Sequence, residues 1–342
     1  MRKKKVLLIA GGGTLGSYTS YELLKAGCAV DVIALEDLKS LNKNLRYFKA
    51  YVDDALLKRL FEENRYDAIV DFIHYADPEA YKPRARLLLA NTDQLVFLSS
   101  YRVYDDAAHP ISEDSPMLPD VSKDEYLLAH ENYGIPKAKS ERFLRSLGVK
   151  NFTILRPLIS FSHFRLDLVT QGAAPLLFRS AAGKKILLPA ASKDVVAGVG
   201  WAGNIGKMIA RLLFNERALG EAFTLGTGEV NTWGQVADFY KDLLGSSFEW
   251  VDTVDYLENA TPNTYMDRCM IYHDRLLDRT IDNRKLLAAT GLAMRDFTHC
   301  YDGIVTELEI LASRPDLVAR FDTPTFRAIS EKTDAYLASH KG

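Results

Sequence analysis

The apolar run Val6-Leu7-Leu8-Ile9-Ala10 passes directly into Gly11-Gly12-Gly13-Thr14-Leu15-Gly16, and this junction constrains the chain more than any other segment. A short apolar run, then Gly-x-Gly-x-x-Gly, then the amphipathic segment Ser17–Ala26 reads as strand, tight turn and helix. The first glycine permits the turn, the second lets backbone approach a pyrophosphate, and the third lets helix lie against strand. The start of the helix offers free N–H groups and a positive dipole end to phosphates. Gly11, Gly13 and Gly16, with Thr14 and Leu15 beside them, are therefore candidate dinucleotide-binding residues. The basic lead-in Met1–Lys5 has the charge of a secretion signal, but the apolar run behind it is too short and ends in glycines. A buried first strand is the reading.

The same rhythm continues. Ala29–Leu35, Ala68–Ile73, Leu95–Ser99 and Phe152–Leu155 read as strands, and Ala55–Asn64 and Tyr133–Leu147 as helices. A loop rich in Asp, Pro and Ser fills roughly 105–123. Apolar strands without alternation, separated by helices, make a parallel sheet covered on both faces. Beyond Pro157 the pattern is irregular to about Asp194. It then resumes with a helix at Ala202–Phe214, a strand at Ala222–Leu225, an amphipathic segment at Trp233–Leu244 and closing helices at Glu307–Ser313 and Ala328–Ser339. The expected fold is α/β: a Rossmann-type doubly wound parallel sheet with a smaller C-terminal substrate-binding α/β part. Residues 1–157 with about 195–227 form the dinucleotide domain, and about 158–194 with 228–342 the substrate part. With no repeat or flexible linker, one compact unit with a cleft is expected.

Composition removes several function classes. A formal net charge of −2 gives no basic field for nucleic acid or anionic membrane. No run of 18 apolar residues exists, so no membrane span is expected. Cys28, Cys269 and Cys300 are far apart and without CxxC spacing, which fits free thiols in a cytoplasmic protein and no metal site.

Two further features fall where hydride transfer needs them. Ser99-Ser100 ends a buried strand, so both hydroxyls face the carboxyl edge of the sheet, where ligands bind in this fold. Tyr133 and Lys137 lie four residues apart on one helix face. A phenol titrates too high to act as a base at neutral pH, and a neighbouring ammonium lowers it. A serine hydroxyl orients the substrate oxygen. On the second strand, the position expected to carry a ribose-binding acid holds Ala34, while Glu36 follows 20 residues beyond Gly16. With no arginine directly after that strand, NAD is favoured and NADP is the alternative. Asp53 is placed either near the adenine or as a helix cap.

In these pieces the chain resembles the extended and atypical short-chain dehydrogenase/reductases, the NAD-dependent epimerase/dehydratase family. They are Ala10–Ser17, the run Val96-Phe97-Leu98-Ser99-Ser100-Tyr101-Arg102-Val103-Tyr104, Tyr133–Lys137, Leu155-Arg156-Pro157 and Asp282-Asn283-Arg284-Lys285-Leu286-Leu287. The resemblance implies Tyr133 as acid/base, Lys137 as its partner and ribose ligand, and Ser100 as the catalytic hydroxyl with Ser99 in reserve. It places Pro157 against the cofactor. The chain departs from the family at the glycine spacing, at Ala34, and at Val195–Trp201, where a His-Val-x-Asp-like stretch is usual. Tyr101-Arg102 replaces the Asp-Glu pair of the sugar dehydratases, which disfavours 4,6-dehydration.

The resemblance implies an NAD(P)-dependent oxidoreductase or epimerase acting on a nucleotide-activated sugar. Arg102, Arg268, Arg275 and Arg279 are the candidates for the substrate's phosphates, and surface pairing with Asp267, Asp274 and Asp278 is the other reading of the last three. Relatives of this kind often pair as homodimers through the helix carrying Tyr133, to which Phe143 and Leu144 would contribute. The rival class is a non-catalytic dinucleotide-binding regulator or RNA-associated relative. The neutral charge and the presence of both Tyr133 and Lys137 argue against it.

Overall fold

The computed structural model describes residues 2–106 and 108–340. The chain forms two compact units, one made of Met1–Ser160, Ala202–Thr227 and Ile281–Phe297, the other of Phe161–Trp201, Gly228–Thr280 and Thr298–Gly342.

The first unit is built on seven parallel strands: β1 (Lys5–Ile9), β2 (Ala29–Ala34), β3 (Leu45–Lys49), β4 (Ala68–Asp71), β5 (Leu95–Leu98), β6 (Phe152–Pro157) and β7 (Glu221–Leu225). Their order is β7-β6-β5-β4-β1-β2-β3. The chain winds outward from β1 through β2 and β3, then returns to β4 and winds the other way. That reversal beside β1 is the switch point at whose carboxyl edge ligands bind in doubly wound sheets. Helices α1 (Thr14–Lys25), α2 (Asp54–Glu63), α3 (Pro78–Leu89), α4 (Leu118–Val121), α5 (Glu125–His130), α6 (Gly134–Ser146), α7 (Ala202–Leu212) and α8 (Arg284–Thr290) belong to the same unit. Leu7, Ile9, Leu57, Tyr66, Tyr81, Phe97, Leu144 and Phe152 share one fully buried cluster. Elsewhere α1 and α7 approach so closely that a Cβ on Gly206 would lie 2.7 Å from the Tyr18 carbonyl carbon.

Several elements had no clear sequence signal, among them α4, which lies within the stretch read as a loop, and β3 and α3. β3 is an edge strand, Leu-Arg-Tyr-Phe-Lys, only partly buried, so it lacks the apolar run that marked its neighbours. α3 contains Pro83, which cannot donate a helical hydrogen bond; Asp77, accepting from the Glu79 N–H at 2.9 Å, starts the helix nonetheless.

The unit boundaries also differ from those read in the sequence. Residues 281–297, grouped there with the C-terminal part, pack on the first unit: Asn283 Nδ2 donates to the Thr227 carbonyl at 2.8 Å, and Lys285 pairs with Glu221 at 2.8 Å. Residues 195–201 belong to the second unit.

The second unit holds a parallel strand pair, Lys185–Pro189 and Ser247–Val251, with helices Trp233–Leu244, Thr253–Ala260, Cys300–Ser313 and Pro324–Ser339. Trp233, Tyr240 and Tyr256 form its interior. Cys28, Cys269 and Cys300 are buried free thiols. Among the described residues, no helix is long and apolar enough to cross a membrane.

Candidate active site

At the end of β1 the chain turns through Ala10, which adopts φ 55°, a left-handed conformation that costs a non-glycine residue energy. The Gly11 N–H then donates to the Ile33 carbonyl at 3.1 Å, fixing the turn against β2. The three motif glycines are required for different reasons. A Cβ on Gly16 would lie 2.2 Å from the Gly11 carbonyl oxygen, and one on Gly11 would lie 2.8 Å from the Leu8 Cβ. Both glycines are thus dictated by the chain itself. A Cβ on Gly13 meets nothing within 4 Å. Gly13 is also the N-cap of α1 and carries no side-chain cap, so its surroundings suit the approach of a phosphate to the first-turn N–H groups. Thr14 and Leu15, half-buried, open that turn.

Glu36 sits just past β2 with Oε2 2.8 Å from where a Gly12 Cβ would lie, so its carboxylate overhangs the glycine turn. Asp53 caps α2, Oδ1 accepting from the Leu56 N–H at 2.7 Å, which is the cap of the two roles considered for it.

Ser99 and Ser100 follow β5 and are both buried. Ser100 Oγ accepts from the Arg102 N–H at 3.2 Å, capping the short helical turn Tyr101–Val103. Ser99 Oγ has no hydrogen-bond partner among the described residues. Tyr133 is the N-cap of α6, and Lys137, one turn on, is buried. Lys137 Nζ donates to the Leu98 carbonyl at 2.6 Å and the Ser99 carbonyl at 3.2 Å, and lies 5.1 Å from the centre of the Tyr133 ring. The structure thus brings Ser99, Tyr133 and Lys137 together, with Ser100 next along the chain. Burial pushes the Lys137 ammonium below its ordinary value, against the opposing pull of Tyr133, Asp71 and Glu141.

Several neighbours of this group were not read as site residues in the sequence. His74, in the segment after β4, packs its ring on Tyr133 with centroids 5.0 Å apart, and its Nε2 is 2.8 Å from the Asn132 carbonyl. A carbonyl only accepts, so that nitrogen is the protonated one. Burial and the nearby Lys137 lower the basicity of His74. Asp71, the last residue of β4, is wholly buried and pushed up to about 6 by that burial. The Ile73 N–H at 3.0 Å and the Tyr75 hydroxyl at 2.9 Å oppose the rise. Behind Lys137, Glu141 and Arg156 form a buried pair with Nη2 to Oε2 at 2.6 Å, and Arg156 Nη1 donates to the Tyr104 hydroxyl at 2.8 Å. Tyr133, Lys137 and Glu141 recur every fourth residue, so this pair fastens the chemically important face of α6 to β6.

Pro157 ends β6, buried at the carboxyl edge. The four candidate substrate arginines are placed quite differently from one another. Arg275 and Arg279 lie inside the second unit around the buried Asp274 carboxylate: Arg275 pairs with Asp274 and donates from Nε to the Val169 carbonyl at 2.6 Å, and Arg279 Nε lies 3.3 Å from Asp274 Oδ1. Ion pairing was expected at the surface, but it occurs in the interior, because a buried carboxylate must be neutralised. Arg268 is exposed and donates to Asn263. Arg102 belongs to the Tyr133 surroundings, its guanidinium 4.8 Å from the centre of that ring. Leu144 is buried in the core of its own unit, and Phe143 lies beneath Arg86 and Lys82. Among the described residues no cluster of His, Cys, Asp and Glu could hold a metal ion.

No family model matches the chain. Over 172 residues it is 27% identical to a UDP-glucose 4-epimerase of Neisseria meningitidis serogroup B, covering 42% of this chain and 48% of that one. It is 30% identical over 138 residues to a UDP-glucose 4-epimerase of Lactobacillus helveticus, covering 34% and 41%. The chain therefore spans less than half the length of these curated relatives. Solved structures share the fold over nearly the whole chain. An epimerase of Methanothermobacter thermautotrophicus superposes with TM-score 0.70 at 15% identity, covering 93% of this chain and 95% of that one. The Bordetella bronchiseptica enzyme WbmG, solved with NAD and UDP, gives 0.66 at 21% identity, covering 91% and 95%. A Thermotoga maritima UDP-glucose 4-epimerase solved with UDP-glucose gives 0.65 at 16%, covering 90% and 99%.

Proposed function

We propose that this chain is a member of the extended short-chain dehydrogenase/reductase family of NAD-dependent epimerases and dehydratases, and an NAD-dependent enzyme that transfers hydride at a secondary alcohol or ketone of a nucleotide-activated sugar. The observation that carries the reading is the packing of Lys137 against Tyr133 and the end of β5, on the sheet edge that also bears the glycine turn. The names of the relatives, and the NAD and UDP-glucose solved with the structural neighbours, support the substrate class.

NAD fits the residues present. The first turn of α1 at Gly13 would hold its pyrophosphate, Glu36 an adenosine ribose hydroxyl, and Lys137 the nicotinamide ribose. The Glu36 carboxylate would repel a 2′-phosphate, which favours NAD over NADP. When bound, the cofactor supplies a hydride acceptor or donor. The Tyr133 phenolate would take the proton of the substrate alcohol during oxidation, and the resulting hydroxyl would return it during reduction. Ser100 Oγ accepts from the Arg102 N–H, leaving its own proton to donate to the substrate oxygen. Lys137 has two donors on main-chain carbonyls, which fixes its Nζ beside Tyr133, and the third remains for the ribose. Simple oxidoreduction or epimerisation needs no additional acid/base pair, consistent with Tyr101-Arg102 at the dehydratase positions.

The test is Tyr133→Phe assayed with NAD and a panel of UDP-sugars beside a direct measurement of NAD binding. Turnover should fall by at least ~10³-fold with NAD affinity nearly unchanged. Unaltered turnover in this variant would overturn the mechanism, and NAD binding without turnover of any sugar would leave a dinucleotide-binding module. NAD retained through purification supports epimerisation, and freely exchanging NAD a net dehydrogenase.

A further inference from the structure

Tyr133 is surrounded by more charge than a Tyr-Lys pair requires. From the helical turn after β5, the Arg102 guanidinium lies 4.8 Å from the centre of its ring. From α6 comes Lys137 at 5.1 Å, and from the segment after β4 comes His74, ring to ring at 5.0 Å. The carboxylates in the neighbourhood are Glu131, just before Tyr133, and Asp71 and Glu141, which act on Lys137.

Arg102 is fixed from both ends. Its Nη2 pairs with Glu131 Oε1 at 3.1 Å, and the two side chains are 13% and 2% exposed. The other Glu131 oxygen accepts from the Tyr133 N–H at 3.1 Å and the Ile135 N–H at 2.8 Å. One carboxylate therefore holds both the guanidinium and the backbone of the tyrosine it covers. The main chain of Arg102 is equally confined, because a Cβ on Gly134 would lie 2.6 Å from the Arg102 carbonyl oxygen. A residue so constrained, and so little exposed, is poorly placed to follow a substrate phosphate.

The chemistry of the two cations differs. Lys137 is buried, directs two donors at main-chain carbonyls, and is the cation of the pair that can lose its charge. A guanidinium stays charged throughout the working pH range. Above the ring face it attracts the electron-rich phenolate more than the phenol, and so favours ionisation. The Glu131 charge is partly spent on two N–H groups at the start of α6, where the helix dipole also opposes it.

We propose that Arg102 is a positioning residue for Tyr133, a permanent cation that Glu131 clamps over the phenol so that the phenolate forms at lower pH. The role rests on the hydride-transfer reading above, whereas the electrostatic effect does not.

The first experiment therefore uses no substrate. The phenolate of Tyr133 is titrated in the full chain by ultraviolet difference against Tyr133→Phe, in the wild type and in Arg102→Met and Arg102→Lys backgrounds. Arg102→Met should raise the midpoint by roughly one pH unit, a tenfold fall in the fraction ionised, and Arg102→Lys should restore most of it. An unmoved midpoint in Arg102→Met overturns the proposal whatever the chain catalyses. Should Arg102→Met fail to fold, Arg102→Gln, which keeps donors for Glu131 but carries no charge, should move the midpoint in the same direction, and no movement overturns the proposal. The second experiment follows kcat against pH with NAD and UDP-glucose. The limb governed by Tyr133 should shift by the same amount as the midpoint, with little change in KM. A raised KM with an unmoved limb would make Arg102 a substrate contact and refute its positioning role. Full activity of Tyr133→Phe would instead refute the hydride-transfer reading and leave the titration result standing.

Discussion

At the β1–β2 end of the sheet edge the binding surface is made of backbone. Gly11 and Gly16 pack against their own chain, Gly13 leaves a gap, and Glu36, overhanging the turn, is exposed. At the β4–β6 end the surface is made of buried charge. Asp71, Glu131, Lys137, Glu141 and Arg156 all lie within a few per cent of complete burial. The first region would hold a ligand by shape and helix dipole, at little cost to the fold. The second would act on one phenol through the ions around Lys137, each of which the fold must neutralise or tolerate. Substitutions at the two ends should therefore fail in different ways.

The largest loss belongs to the charged end. Arg156 and Glu141 are 2% and 1% exposed, and removing either leaves the other as an uncompensated buried charge. Glu141→Ala should cost about 3–5 kcal/mol, read as a fall in the denaturation midpoint with unchanged slope. Replacing both, as Glu141→Leu with Arg156→Met, should recover much of that loss. If the single variant is as stable as the wild type, the charges at this end are not the costly element supposed here.

At the glycine end the two ligand-side positions should separate cleanly. Gly16→Ala forces a Cβ to 2.2 Å from the Gly11 carbonyl, so α1 must shift from β1 at a cost of about 1–3 kcal/mol. Gly13→Ala meets no protein atom within 4 Å, and its φ of −93° suits alanine. It should leave the melting temperature unchanged while weakening NAD binding about tenfold, roughly 1.4 kcal/mol. Calorimetry on both variants decides the matter. Equal NAD affinity in Gly13→Ala and the wild type would mean that the gap is not where the pyrophosphate lies.

The same contrast explains what could be read from the sequence. The glycine turn, the parallel sheet and the Ser-Tyr-Lys order were legible because each depends on local spacing: a motif of six residues, apolar runs, and a pair four residues apart on one helix. Glu36 was found by counting along the chain. The surroundings of Tyr133 were not legible, because they join residues far apart in sequence. His74 comes from the end of β4 and Arg102 from the end of β5, and Glu141 meets Arg156 only when α6 lies on β6. A histidine just beyond a strand on the ligand-binding edge was the one available signal. Arg275 and Arg279 show the opposite difficulty: their place before Asp282 and their guanidinium chemistry suited phosphate binding, but both lie inside the second unit around Asp274. Pro83 and the half-polar β3 hid two elements for local reasons.

The smallest expected effect tests whether the charged end destabilises the fold at neutral pH. Asp71 is wholly buried and its carboxyl is raised from an ordinary 3.8 to about 6. A group raised in the folded state contributes stability that is complete below its unfolded value and is lost as pH climbs through the folded one. From this residue alone, stability should fall by up to ~3 kcal/mol between about pH 4 and pH 7. Asp71→Asn removes that fall, but it also weakens the acceptors used by the Tyr75 hydroxyl and the Ile73 N–H, at about 1 kcal/mol each. The net gain near neutrality should be about 1 kcal/mol, shrinking or reversing toward about pH 4. Denaturant titrations of wild type and variant at both ends of that range measure the difference. A difference between the two proteins that does not vary with pH would show that Asp71 does not titrate in this window, and the buried charge near Lys137 would then cost the fold less than the comparison requires.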